Sequence, residues 1–229
     1  MVTGAPTATR MGQQCMTTSA ILTLQQWLSG AYPLGSFAYS HGLEAAIDEG
    51  WVHDATTLEI WLRDVLREGT GRADIIVLRA AYQSKTRAEL MEIDATARAF
   101  AASHERLRES LHQGAAFART TSAVADIDVP EVLFPAAVGC AAARLDIPVE
   151  IAAPMYSQAF ASSIVMACVR LMRLGQTQAH RVISDLAQVC EQTAIEMTGA
   201  TLDDLYSNTF LSDIAAMRHE VQPHRLFQS

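Results

Sequence analysis

No segment of this chain alternates apolar and polar side chains as a half-buried strand must, which removes sheet architectures from consideration. Charge is scarce as well: 18% of residues are Asp, Glu, Lys or Arg, below the roughly 25% usual for soluble proteins. The balance is −8, and the 17 Lys and Arg are scattered, a distribution that repels a phosphate backbone and excludes nucleic acid as a partner. The four cysteines, Cys15, Cys140, Cys168 and Cys190, form no CxxC pair, which excludes a zinc knuckle and a thioredoxin-type motif and fits reduced thiols in the cytoplasm. The longest apolar run, Phe134 to Ala143, is about half of the ~20 residues a bilayer demands, so no membrane span is expected. GxxxxGK[ST] is absent, so the chain carries no P-loop. Residues 1–17 hold Gly, Pro and Thr without the apolar stretch of a signal sequence and are expected to be a flexible leader.

What remains is rich in Ala, Leu and Met, and half of the 229 residues are apolar, enough to fill one large core. This composition predicts an all-α, single-domain bundle of about ten helices over residues 18–217, followed by a tail at 218–229. Leu58, Trp61, Leu62, Val65 and Leu66 recur at helical spacing, with Asp54 placed to cap the start and Gly69 the end. Thr86 and Glu89 have capping-box spacing ahead of a long helix with at most one break before about Leu111. Thr201 and Asp204 have it again, ahead of a helix expected to run to about Met217. Val132–Ala143 and Ala159–Val169 are small-residue, apolar segments suited to central helices, with Pro130, Pro148 and Pro154 punctuating the middle.

Two clusters depart from this plain helical pattern. In Ala31–Glu44, Pro33 and Gly35 predict a tight turn, and Ser36 is placed to cap a helix presenting Phe37, Tyr39 and Leu43. Within it Ala38 to Gly42 imitates a G-x-S-x-G elbow around Ser40, the basis of an alternative reading as a small helical serine hydrolase using Ser40 and His41. That motif needs a preceding strand, and Ile21 to Leu28 reads as helix. The second cluster, Arg218 to Ser229, places His219-Glu220 ahead of His224. The two histidines are five apart with Pro223 between them, so they are expected to be surface histidines in a polar tail. The seven dispersed histidines support a second alternative, a nickel carrier, only weakly.

Taken together, the clusters resemble the two signature ends of the UreF family of urease accessory proteins. Pro33-Leu-Gly-Ser-Phe-Ala-Tyr-Ser-His-Gly-Leu-Glu44 with Gly50-Trp51-Val52 is similar to one, and Arg218-His219-Glu220 with Arg225-Leu226-Phe227-Gln228-Ser229 to the other. Gly114 to Arg119 and Val165 to Leu171 are similar to intermediate family segments; Ser36, Arg170 and Arg173 depart from the usual residues. The resemblance implies a dimeric, all-helical, non-catalytic adaptor of the cytoplasm. It would bind UreD (UreH), recruit the nickel-carrying GTPase UreG, and couple GTP hydrolysis to nickel insertion into apo-urease. No tightly bound cofactor and no metal ligand are implied, nickel being handled by the complex. Pro33, Gly35, Tyr39, Gly42, Glu44, Arg170, Arg218, His219, Glu220, Arg225, Leu226 and Phe227 become the expected partner-binding residues. The tail is expected to order on binding, with Leu226 and Phe227 as anchors, and its deletion to leave the helical body intact.

Overall fold

A computed structural model describes residues 8–229, with side chains from residue 18 onward. Helix starts that carry a capping side chain form where the sequence puts them. Asp54 accepts the Thr57 amide at 2.8 Å and opens α3 (Ala55–Glu68), which ends at Gly69. Thr86 accepts the Glu89 amide at 3.2 Å and opens α5 (Arg87–Ala99), while the Glu89 carboxylate reaches back to the Lys85 amide. The long helix foreseen there is interrupted once: Phe100 to Ser103 break it, and the Ser103 hydroxyl caps α6 (His104–Ala125) through the Arg106 amide. Thr86→Ala is expected to cost about 1 kcal/mol, the usual worth of an N-cap, read as a lowered urea midpoint at unchanged slope.

The third start is a correction. The Thr201–Asp204 box closes, but only the single 3₁₀ turn Leu202–Asp204 follows it. Arg72 takes the Asp204 carbonyl at 2.7 Å and stacks on Tyr206, the Asn208 amide bonds the Glu68 carbonyl, and Leu205 is buried. These long-range contacts pull the chain off the helical path, so α10 begins only at Phe210 and runs to His219.

The remaining elements are α1 (Ala8–Trp27), a 3₁₀ turn at Ser36–Ala38, α2 (Leu43–Asp48), α4 (Thr70–Gln83), α7 (Phe134–Arg144), α8 (Val149–Leu171) and α9 (Gln176–Glu196). There is no strand among the described residues, and the fold is an all-α single domain. Helix α1 starts inside the stretch read as a leader, whose first seven residues lie outside the described residues.

Helices α7 and α8 are the central helices that their composition foretold. No side chain at its own N-cap starts α7; instead Asp94 of α5 accepts the Leu133 amide at 2.7 Å and Ser110 of α6 the Phe134 amide at 3.2 Å. Gly139 lets α7 lie directly on α4, since a methyl there would run into the Leu78 carbonyl. Helix α8 is the spine: Ala152, Ala153 and Tyr156 belong to one apolar cluster with α4 and α7, and Ala161, Ile164, Val165 and Cys168 to a second with α3 and α9. At 23 residues α8 is long and apolar enough to cross a membrane, which its scattered polar residues hide from a count of consecutive apolar ones, but 56% of its most apolar window is buried in the bundle.

Candidate functional site

Beyond the exposed Pro33 and Gly35 the chain does not enter the helix expected from Ser36. Gly35, left-handed at φ 72°, leads only into the 3₁₀ turn, and Ser36 caps nothing with its side chain. The backbone then extends through Tyr39, and two successive left-handed residues, His41 (φ 58°) and Gly42 (φ 74°), turn it into α2. Gly42 is required twice over, because a Cβ there would lie 2.6 Å from the Ala216 amide nitrogen of α10.

The extended stretch has backbone groups to satisfy, and the tail satisfies them. The Gln228 amide donates to the Ala38 carbonyl at 2.7 Å; the Ser40 amide (2.6 Å) and hydroxyl (2.5 Å) both donate to the Ser229 carbonyl. Glu44, in the first turn of α2, accepts the amides of Leu226 (2.8 Å) and Phe227 (3.0 Å). Across that carboxylate stands His219 at the end of α10, with no exposed surface: Nδ1 is 2.6 Å from Glu105 and Nε2 3.4 Å from Glu44. Arg225 donates to Glu105 at 2.5 Å, Glu220 caps α6 by accepting the His104 and Glu105 amides, and Ser229 Oγ donates to Glu109 at 2.7 Å. Arg170 lies over the Phe227 ring and donates to the Phe37 carbonyl.

The tail is therefore seated on its own body. His219 is a core residue instead of a surface histidine and Phe227 (6% exposed) is buried against this chain, whereas Arg218, His224, Arg225 and Leu226 (78% exposed) lie at the surface. Three buried carboxylates of the body, those of Glu44, Glu105 and Glu109, accept hydrogen bonds from Arg225, Leu226, Phe227 and Ser229 of the tail. Of the other sequence-derived candidates, Arg218 pairs with Glu49 and covers Trp51. Tyr39 is buried with its hydroxyl 3.3 Å from His112 Nδ1.

Behind the tail lies a second layer that the residue patterns had not singled out. Glu109 is held by Arg106, by His41 Nε2 at 3.0 Å and by Gln113 at 3.0 Å. Burial alone would raise its carboxyl, but Arg106, His41 and the hydrogen bonds from His41 and Ser229 outweigh it and bring the pKa to about 2. Burial and then Arg106 lower the His41 pKa from its ordinary value, against the pull of Glu109. These groups open on a cavity of about 370 Å³ whose wall includes Asp74 and Tyr156. Tyr156 donates to Asp74 at 2.7 Å; burial nevertheless dominates, and the Asp74 pKa stands at about 6. Ser40, the hypothetical nucleophile, is fully buried, follows no strand, and spends its hydroxyl on Ser229. Among the described residues no group of three or more His, Cys, Asp and Glu is arranged to hold a metal ion.

A stretch from 52 to 187, over half the chain, matches the model of the UreF family. This chain belongs to the UreF family. The urease accessory protein UreF of Ruegeria sp. (strain TM1040) is 48% identical over 214 residues, 93% of this chain and 100% of that protein. Those of Roseobacter denitrificans and Ruegeria pomeroyi are 44% and 43% identical, each covering 93% of this chain and 96% and 98% of the relative. Membership of a family of urease accessory proteins agrees with a chain whose one serine motif is built into packing. It also gives the buried junction its context: the two UreF-like signature segments, some 180 positions apart, form opposite sides of one hydrogen-bonded seam.

Proposed function

We propose that the protein acts in the cytoplasm as a non-catalytic adaptor of urease maturation, binding UreD (UreH) and recruiting the GTPase UreG so that GTP hydrolysis coincides with nickel delivery to apo-urease. The observation that carries this reading is an exposed apolar row on α10 beside the seated tail. Phe210, Ile214 and Met217, continued by Val221, are spaced by four, three and four, and all are exposed while Ala215, Ala216 and His219 face the core. That spacing suits packing along a partner element, and the flanking Arg218 and Arg225 add arginine, a residue type enriched at interface hot spots, beside the exposed Leu226. Arg170, pinned between the Phe37 carbonyl and Phe227, adds a cation at the edge of the same seam.

In this reading the tail shapes a docking surface from within, and Leu226, not Phe227, is its outward anchor. A second copy would pack elsewhere, for which Ile21 and Leu22, exposed on α1, are the apolar candidates. The double variant Met217→Asp, Val221→Asp changes only exposed side chains. It is expected to keep its far-ultraviolet spectrum and melting temperature while losing retention on immobilised UreD. Undiminished retention would move the docking surface off α10, and no association of the folded parent chain with UreD at all would remove the adaptor reading.

A further inference from the structure

Three cavities of the fold meet at one side chain. The largest, about 370 Å³, and a second of about 80 Å³ share only Asp74, Arg106 and Ser110, so these three residues are the wall between them; a third, of about 10 Å³, shares Arg106 with both. Two members of the wall are fixed to neighbouring helices, Asp74 by the Tyr156 hydroxyl and Ser110 by the Phe134 amide. The third is a long arginine, and what fixes its guanidinium is Glu109, with His41 Nε2 at 3.4 Å. Glu109 in turn is enclosed by Gln113, His41 and the Ser229 hydroxyl of the tail.

From this arrangement we infer that the tail is a strap: by seating Ser229 on Glu109 it holds Arg106 in the wall, and lifting it opens the wall and joins the two larger cavities. The physical step is a change of surroundings. With the tail down, the Arg106–Glu109 pair is enclosed and one arrangement of the arginine is strongly preferred. With the tail up, Glu109 and Ser40 meet water, and a solvated ion pair is worth only about 0–1 kcal/mol, too little to hold a flexible guanidinium in place. The arginine then has an alternative partner in Asp74, which lines the same cavities and which, among the described residues, takes a side-chain hydrogen bond from Tyr156 alone. The inference goes beyond the adaptor reading and does not depend on it, because nothing in it specifies what lifts the tail.

Thiol labelling of the full-length chain tests it. A reporter Ser110→Cys sits in the shared wall, and Ser163→Cys, lining the larger cavity alone, is the control. Phe227→Ala frees the tail, verified by lost hydrogen-exchange protection of the Leu226 amide. It is expected to raise iodoacetamide labelling of the wall reporter about tenfold, while the control changes less than about twofold. An unchanged wall reporter in a chain whose tail has demonstrably lifted overturns the inference; so does an equal rise at both positions, which would mean general loosening. Should Phe227→Ala fail to fold, Glu109→Gln decides alone. Faster labelling at position 110 with the Leu226 amide still protected supports the strap, and unchanged labelling ends it.

Discussion

Glu44→Ala is expected to release the last four residues from the body and to lower the unfolding free energy by about 3–5 kcal/mol, the usual cost of breaking an enclosed charged cluster from one side. The size follows from what the carboxylate holds. It is the acceptor for two tail amides and faces His219 Nε2, and Glu44, Phe227 and His219 are all buried, with Leu226 at the rim. Truncation leaves those donors unpaired, at about 1–3 kcal/mol for each buried group that finds no substitute, and opens a cavity between α2 and α10. Glu44→Gln keeps one carbonyl acceptor for the amides and loses the charge beside His219, so it should fall between the two. Urea denaturation measures the energy, and hydrogen exchange at the Leu226 and Phe227 amides locates it. A variant that is destabilised while those two amides stay protected would detach the energetics from the tail, and the account of the seam would be wrong.

The difference between what was legible in the sequence and what was not lies in the range of the interactions. Asp54, Thr86 and the apolar row Leu58–Leu66 act within one or two turns, and the helices they specify form as read. Thr201 carries the same local signal, yet its helix stops after one turn, because Arg72 and Glu68, more than 130 positions away, claim its backbone. The same limit governs the site. Both signature ends stand out in the sequence, but nothing in local periodicity says that Glu44 meets residues 219, 226 and 227, nor that a Leu-Phe pair in a polar tail splits into one buried and one exposed member.

The buried network does leave one mark on the residue pattern. Glu105, Glu109, Gln113, Phe117 and Thr121 repeat every four residues along α6, and all five are buried. Polar residues continuing the stripe of a core phenylalanine are costly unless paired, so a stripe of this kind is a sequence-level sign of enclosed polar pairs. Asp74 gives no such sign. It sits on an otherwise ordinary amphipathic helix, and only the tertiary fold places Tyr156 and Arg106 around it.

That placement sets the second large effect, a dependence of stability on pH that runs opposite to the usual acid loss. In the folded chain the Asp74 carboxyl titrates at about 6, raised from an ordinary value of 3.8 mainly by burial. The native state therefore binds its proton more tightly than the unfolded chain does. Asp74 imposes no penalty below about pH 4, an increasing one as pH rises through 6, and its full penalty above that. At about 1.4 kcal/mol per unit the penalty approaches 3 kcal/mol, reduced to about 2 kcal/mol by water screening in the cavities that Asp74 faces. Asp74→Asn, which preserves an acceptor for Tyr156, is expected to be about 2 kcal/mol more stable than the parent at pH 8, with the gain vanishing near pH 4. Glu109 works in the other direction. Its carboxyl is held at about 2, so its contribution is present above 4.5 and is lost as pH falls from there toward 2. Stability contributed by this pair should thus peak between the two ranges, near pH 4 to 5, in the parent chain and flatten toward neutral pH in Asp74→Asn. Parallel curves for the two proteins between pH 4 and 8 would mean that Asp74 is ionised throughout, with Arg106 turned toward it even while the tail is seated.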